Sequence, residues 1–225
     1  MPVFNEEKTV ATMVQRVLTQ SPVQEIIIVD DASTDRTWAA LQGLEKIDRR
    51  IRLHRHERNR GKGAAVRTGF GHVTASMVLI QDADLEYDPS EYYLLLKPIL
   101  AGKADVVFSS RLIGGAGAHR VLYFWHYLGN KFLTTLLNAA TNVNLTDMES
   151  GYKAFRKEVL QRITLEEDRF GFEPEITAKV ARLSLRIYEV AVSYDGRTYA
   201  EGKKINWRDG VSALRCILKY GFLRM

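Results

Sequence analysis

Short continuous apolar runs alternate, through the first half of the chain, with stretches in which apolar residues recur every three or four positions. Glu25 to Val29, Met77 to Ile80 and Asp105 to Phe108 show no polar-apolar alternation beyond an opening acid, and they read as strands buried on both faces. Ile51 to His54 reads as a further short strand. Between these runs, Val10, Met13, Val14, Val17 and Leu18 predict a helix from Glu7 to Thr19. Trp38, Leu41 and Leu44 predict a second, capped by Ser33 or Thr34 and running to about Lys46. Tyr92, Leu95, Leu96 and Ile99 predict another, opened by Pro89 and distorted near its end by Pro98. Arg60-Gly61-Lys62-Gly63 is a basic turn opening a helix, without the spacing of a Walker A loop. Strand and helix in alternation predict an α/β domain with a doubly wound, Rossmann-like sheet of the kind that holds nucleotides.

The pattern changes beyond Gly114-Gly115-Ala116-Gly117. From His119 to Asn142 a helical run carries Leu122, Tyr123, Phe124, Trp125, Phe132 and Leu136. Two readings stay open: a helix packed on the core, or one lying on a bilayer surface. Asp147 to Arg156 is a turn entering a strand, Phe170-Gly171-Phe172-Glu173-Pro174-Glu175 precedes a helix to about Leu183 with Pro174 near its first turn, and Leu185 to Val192 is a strand. Arg197 to Lys204 is a basic loop without apolar anchors, expected to move. Trp207 to Leu223 closes the chain as an amphipathic helix with Arg208, Arg215, Lys219 and, just beyond it, Arg224.

Three of the buried strands end in charge: Asp30-Asp31, Asp82-Ala83-Asp84 and, after Ser109-Ser110, Arg111. In an open parallel sheet, ligands bind beyond the carboxyl ends of the strands. Two carboxylates one residue apart in extended chain point to one side, where a divalent cation relieves their repulsion. Hard oxygen ligands suit Mg²⁺ or Mn²⁺, and Mg²⁺ typically takes one or two carboxylates plus phosphate oxygens. The implied ligand is a diphosphate.

At 225 residues, with 46% hydrophobic and 26% charged positions, the chain has the size and composition of one large globular domain. A net charge of +5 favours anionic partners, but the acidic strand ends oppose nucleic acid. The lone Cys216 excludes an intrachain disulfide and fits a cytoplasmic setting. The most apolar helical candidate, Val121 to Leu137, is interrupted by His126, Gly129, Asn130 and Lys131, so membrane contact is expected to be peripheral, on the cytoplasmic face.

Taken together, Pro2-Val3-Phe4-Asn5-Glu6-Glu7, Val29-Asp30-Asp31-Ala32-Ser33-Thr34-Asp35, Gln81-Asp82-Ala83-Asp84 and Ser110-Arg111 resemble the family 2 glycosyltransferases of GT-A fold. Asp147 with Ser150-Gly151-Tyr152-Lys153-Ala154-Phe155-Arg156, and Arg197 followed by Glu201-Gly202-Lys203, resemble its polyprenyl-phosphate branch, typified by dolichol-phosphate mannosyltransferase. The resemblance implies one GT-A domain over residues 1–225, with 1–111 binding the nucleotide-sugar and 112–225 facing acceptor and membrane. It implies that Pro2, Phe4 and Glu6 line the nucleoside pocket, with Val29 and Asp31 on base or ribose. Asp82 and Asp84 would hold the metal, Ala83 would contribute backbone, Arg111 would face the sugar or acceptor phosphate, and Arg197 with Lys203 would close over phosphates. Asp147 falls where the family has a carboxylate near the reacting centre. Relatives carry several apolar residues before the Pro-Val-Phe-Asn-Glu segment, so the true start is expected upstream or the chain is shortened.

The reaction so implied is one in-line displacement with inversion, moving mannose or glucose from GDP-mannose or UDP-glucose to a polyprenyl phosphate. A phosphate acceptor is largely ionised at neutral pH and needs no strong base, which leaves Asp147 open as base or orienter. A sugar hydroxyl of a growing glycan is the alternative acceptor, and a non-catalytic nucleotide-sugar-binding module the alternative class.

Overall fold

The computed structural model describes residues 1–114, 120–121, 123–198, 201 and 207–223. Gly115 to Gly117, His119, Leu122, Gly202 to Lys204 and Arg224, named above, lie outside them. The apolar runs form two sheets. β1 (Pro2–Val3), β2 (Ile26–Asp30) and β3 (Ile51–Arg55) pair in parallel in that order. β4 (Met77–Leu79), β5 (Val106–Ser110), β6 (Lys153–Arg156) and β7 (Ile187–Ala191) form the second, in the order β4-β6-β5-β7. β5 and β7 run parallel, but β6 is antiparallel to both β4 and β5, with Ala154 opposite Leu79 on one side and Val107 on the other. The doubly wound α/β arrangement expected from the strand-helix alternation is present, and the chain returning from the aromatic helix adds one strand between β4 and β5 against their direction.

The helices are α1 (Val10–Leu18), α2 (Thr37–Glu45), α3 (Lys62–Gly71), α4 (Tyr92–Leu100), α5 (Phe124–Thr141), α6 (Lys157–Gln161), α7 (Phe172–Ala181) and α8 (Trp207–Cys216), the last continuing as a π-helical segment, Ile217–Leu223. Val10, Met13 and Val14 of α1, Leu41 of α2 and Leu95 of α4 bury their apolar faces in one core with Ile28 and Val107. Phe172, Ile176 and Val180 of α7 pack with Phe108 and Phe155 in a second. A third, with Leu137, Met148, Ile217, Tyr220 and Cys216, ties α5 to the end of the chain and makes the cysteine a buried apolar filler.

Two local readings are corrected. α2 begins at Thr37, past Ser33 and Thr34. Ser33 Oγ accepts from Asn5 N at 2.9 Å and Thr34 N donates to Asn5 Oδ1 at 2.8 Å, so this pair ties the β1 and β2 loops together. The Thr37 N–H is satisfied instead by Asp35 Oδ1 at 3.0 Å. α5 divides the two readings offered for it: Thr134 and Leu137 are buried, whereas Phe124, Trp125 and Phe132 are 63%, 76% and 60% exposed.

β4 is half-buried because the two sheets flank a cavity of about 190 Å³, lined by Ile26, Ile27, Met77, Val78, Ala65 and Phe70 among others. Gly69 of α3 also borders it, and a Cβ there would meet Val29 at an ordinary 3.7 Å. Gly69→Ala should therefore add about 0.5–1 kcal/mol of stability through helix propensity alone. A denaturant midpoint no higher than that of the parent protein would count against it.

Two glycines at the start of α3 have no substitute. Gly61 sits at φ +102°, and a Cβ on Gly63 would lie 2.2 Å from the Glu167 carbonyl oxygen. Ala64 N donates to Asp168 O at 2.9 Å, so the basic turn is clamped against the segment before α7, and Lys62 is aimed inward.

Candidate active site

β1 and β2 deliver their polar ends side by side. Glu6 is buried, its N–H donating to Thr37 Oγ1 at 2.8 Å and its carboxylate accepting from Thr9 Oγ1 at 2.7 Å. Pro2 and Phe4 are half-buried beside it, and Val29 is enclosed with Ile27 and Ala65. Asp31 is buried and heavily engaged: it accepts from Arg60 N at 2.9 Å and Gly61 N at 2.6 Å, and meets His56 Nδ1 at 2.6 Å. These bonds hold the 57–61 turn.

Beyond β4, Asp82 and Asp84 are half-buried and Ala83 is enclosed between them. Each carboxylate meets a cation delivered from elsewhere. Lys62 Nζ lies 3.0 Å from Asp82 Oδ1 and 3.1 Å from Glu173 Oε1, and Glu173 in turn pairs with the fully buried Lys153. Burial alone would lower the Lys62 pKa, but the facing Asp82 and Glu173 carboxylates raise it, keeping the ammonium charged. Arg197 Nη2 donates to Asp84 Oδ2 at 2.8 Å, and the same guanidinium contacts Glu6 at 3.3 Å and Glu86 at 3.2 Å. The expectation of a free basic loop is thus corrected at Arg197, which three carboxylates hold; Lys203 lies outside the described residues.

Asp84 is raised to about 7, by burial first and then by the neighbouring Asp82 and Glu86 carboxylates, with Arg197 opposing. Crowded, partly desolvated carboxylates are the environment a divalent cation relieves. Among the described residues no three acidic, histidine or cysteine side chains are grouped to hold a metal alone. Asp82 and Asp84 fit a divalent ion that takes further ligands from outside this pair. Gly151 supports this edge: a Cβ there would lie 2.5 Å from Asp82 Oδ2, and its N–H donates to Tyr87 Oη at 2.8 Å.

Arg111 and Asp147 form a closed pair. Nε donates to Oδ2 at 2.7 Å, Nη2 to Oδ1 at 2.8 Å and the Arg111 N–H to Oδ2 at 3.0 Å, while Asn130 of α5 donates to Oδ1 at 2.7 Å. The guanidinium carbon also stands 4.9 Å from the Tyr194 ring centre. Burial works to raise the Asp147 pKa, but Arg111 outweighs it and the carboxyl is held below its usual range. Asp147 is a poor proton acceptor in this state and a firm support for Arg111.

Lys62, Lys153 and Glu173 were not among the candidate site residues. Lys62 carried a signal, since the basic turn that opens α3 left a role near the nucleotide open; Lys153 stood in the motif that resembles the polyprenyl-phosphate branch, but its pairing with Glu173 follows only from the antiparallel entry of β6 and its packing on α7.

Residues 1–164 match the description Glycosyl transferase family 2. An undecaprenyl-phosphate mannosyltransferase of Micrococcus luteus is 31% identical over 216 residues, covering 90% of this chain and 85% of that protein. A polyprenol monophosphomannose synthase of Mycolicibacterium smegmatis is 30% identical over 210 residues, covering 90% and 78%. In structure, glucosyl-3-phosphoglycerate synthase from Mycobacterium tuberculosis, in complex with Mn²⁺, UDP and glucosyl-3-phosphoglycerate, superposes with a TM-score of 0.75 over 98% of this chain and 77% of that one, at 20% identity. That likeness bears on the fold, which is the GT-A arrangement implied by the family resemblance. With most of its length matched and two relatives at or above 30% identity, the chain belongs to glycosyl transferase family 2.

Proposed function

We propose that this glycosyltransferase moves a sugar, mannose or glucose, from a nucleotide-sugar to a polyprenyl phosphate, with inversion, at a membrane surface. The observation that carries the reading is the charge arrangement around Asp82 and Asp84. Each carboxylate has a cationic side chain of this chain beside it, Lys62 or Arg197, and Arg111 stands apart on its own carboxylate support. Such a site suits two separate phosphate groups, one on the donor and one on the acceptor. The names of the two relatives above supply the acceptor class.

In this reading the nucleoside lies over Pro2, Phe4, Glu6 and the end of β2. Asp82 and Asp84 hold Mg²⁺ or Mn²⁺ against the diphosphate. The ion, when bound, neutralises charge that builds on the departing diphosphate. Lys62 keeps Asp82 oriented, and Arg197 turns from the carboxylates to the phosphates. Arg111 orients the acceptor phosphate, whose oxygen attacks the anomeric carbon as the bond to the diphosphate breaks; one displacement inverts the centre. No general base is required, which agrees with an Asp147 committed to Arg111. A donor screen with GDP-mannose and UDP-glucose, Mn²⁺ and a short polyprenyl phosphate, read by the mass of the lipid product, tests the whole. Nucleoside diphosphate release without a glycosylated lipid would overturn the acceptor, and no release with any donor would leave a binding module.

The surface contact belongs to α5. Its first half exposes Phe124, Trp125, Tyr127, Leu128 and Phe132, and the sequence from Arg111 to Thr146 contains no acidic residue. Among the described residues no helix is long and apolar enough to cross a membrane. Aromatic residues without acidic neighbours suit the headgroup layer of an anionic bilayer. Trp125→Glu should lower sedimentation with anionic vesicles by ~10-fold while leaving thermal unfolding unchanged, because the side chain touches little of the core. Equal vesicle binding by the variant would remove α5 from the contact.

A further inference from the structure

A second cavity, of about 1030 Å³, shares no lining residue with the donor and acceptor groups placed above. It opens between the end of β3 with the turn after it, residues 55–60, the segment before α7, residues 166–169, and Ser212 and Arg215 of α8. Its charges are unevenly paired. Glu166 meets Lys179 at 3.3 Å and Lys219 at 3.2 Å, Glu167 meets Arg215, and Asp168 meets Arg67, so each carboxylate of the 166–169 segment already holds a cation. Arg55 likewise lies 3.0 Å from the buried Asp30. The guanidinium groups of Arg58, Arg60 and Arg169, by contrast, make no hydrogen bond or ion pair with any described residue, and Glu57 is the one lining carboxylate without a cation among those residues. Exposed arginines scattered over a surface need no ligand. These are gathered by the fold. Arg60 N and Gly61 N donate to Asp31 at 2.9 and 2.6 Å, and Asn59 Nδ2 donates to the Asp31 carbonyl at 3.3 Å, which fixes the turn that carries Arg58 and Arg60. Gly61 also lies against Arg169, where a Cβ on the glycine would stand 2.7 Å from Arg169 Cγ.

We propose that this pocket is a second phosphate site, in which Arg58, Arg60 and Arg169 hold the phosphate monoester of a ligand other than the sugar donor. Like charges gathered at one opening repel one another, and an anion between them removes that cost. A phosphate monoester carries nearly two negative charges and three acceptor oxygens at neutral pH, and guanidinium groups engage such oxygens in pairs. The volume leaves room for the remainder of a small ligand beyond the phosphate. Two sources share this chemistry, a soluble phosphorylated metabolite and a lipid headgroup. The second is available because α8, which borders the pocket through Ser212 and Arg215, also packs on α5, the helix assigned above to the membrane surface.

The test titrates inorganic phosphate into the whole protein by calorimetry at constant ionic strength. It compares the parent with Arg60→Ala and Arg169→Ala combined, and with Arg49→Ala. Arg49 is exposed at the opposite end of β3, so its removal lowers the net charge without touching the pocket. The double variant should lose ~10–100-fold in phosphate affinity, while Arg49→Ala binds as the parent does. Neither Arg60 nor Arg169 holds another described side chain, so the double variant should unfold at the parent's midpoint. Sedimentation with phosphatidylcholine vesicles, with and without phosphatidic acid, separates the sources. Binding of phosphatidic acid that the double variant loses identifies a headgroup, and binding of free phosphate alone identifies a soluble ligand. Equal affinity in the parent and the double variant, or a parent that binds neither probe, would overturn the proposal. An equal loss in Arg49→Ala would reduce the effect to net charge and overturn it as well. So would competitive displacement of phosphate by a nucleoside diphosphate with Mg²⁺, because the pocket would then belong to the donor site. A parent that binds phosphate and no nucleotide would sink the donor reading and leave this site standing.

Discussion

Asp84→Ala should lower metal-dependent sugar transfer by ~1,000-fold while the protein stays folded. The carboxylate is the one on which burial, Asp82 and Glu86 converge, so it gains most from a cation and gives the cation most in return. Without it, charge on the departing diphosphate loses its main counterweight, an effect worth about two to three orders of magnitude for a single oriented group. The fold should survive because Arg197 keeps Glu6 and Glu86 as partners. Initial rates across a Mn²⁺ titration, with unfolding curves of the same preparations, check both halves. Activity within tenfold of the parent protein would take Asp84 out of the metal site, and a collapsed fold would show that the acidic edge is structural.

Asp147→Ala should act in the opposite way, through stability. Arg111 is half-buried with the fully buried Asp147 as its carboxylate partner, and deleting that partner strands a guanidinium and the Asn130 amide together. Breaking a fully buried ion pair from one side costs about 3–5 kcal/mol, and the partial exposure of Arg111 places this loss at about the lower end of that range. Denaturant unfolding measures the loss. Arg111→Met combined with Asp147→Leu should recover a large part of it, since the stranded charge is then gone. The same pair sets an acid dependence whose sign is fixed. The folded pKa of Asp147 is depressed, so its stabilisation is fully present above the unfolded carboxyl value of about 3.9 and is lost as pH falls through the lower folded value. In Asp147→Asn that component of the acid unfolding curve should disappear. A single loss below 1 kcal/mol, with no recovery in the double variant, would mean that water reaches Arg111.

The residues legible in the sequence were those whose neighbours along the chain announce them. Asp82 and Asp84 follow an apolar run, Arg111 follows another, and the strand-helix alternation fixed which ends of those runs share an edge. What stayed hidden depended on partners distant in sequence. Lys153 stood in a motif, but nothing local announced its enclosure, which follows from β6 running backwards between β4 and β5 and meeting Glu173. Arg197 looked free because its loop has no apolar anchor, and its anchors proved to be carboxylates more than a hundred positions away. Ser33 and Thr34 looked like a helix cap because capping is the commonest use of such residues, but the nearby Asn5 competed for them and won. The long aromatic helix could not be assigned to core or surface from composition, because half of it is each.

The cleft between Ile27 and Val78 has a consequence for small apolar solutes. About 190 Å³ of space, open to solvent on one side and lined by more apolar than polar surface, separates the two sheets. A solute that enters it binds the folded chain and not the unfolded one, so its addition should raise the melting temperature in proportion to the logarithm of its concentration once the cleft is filled.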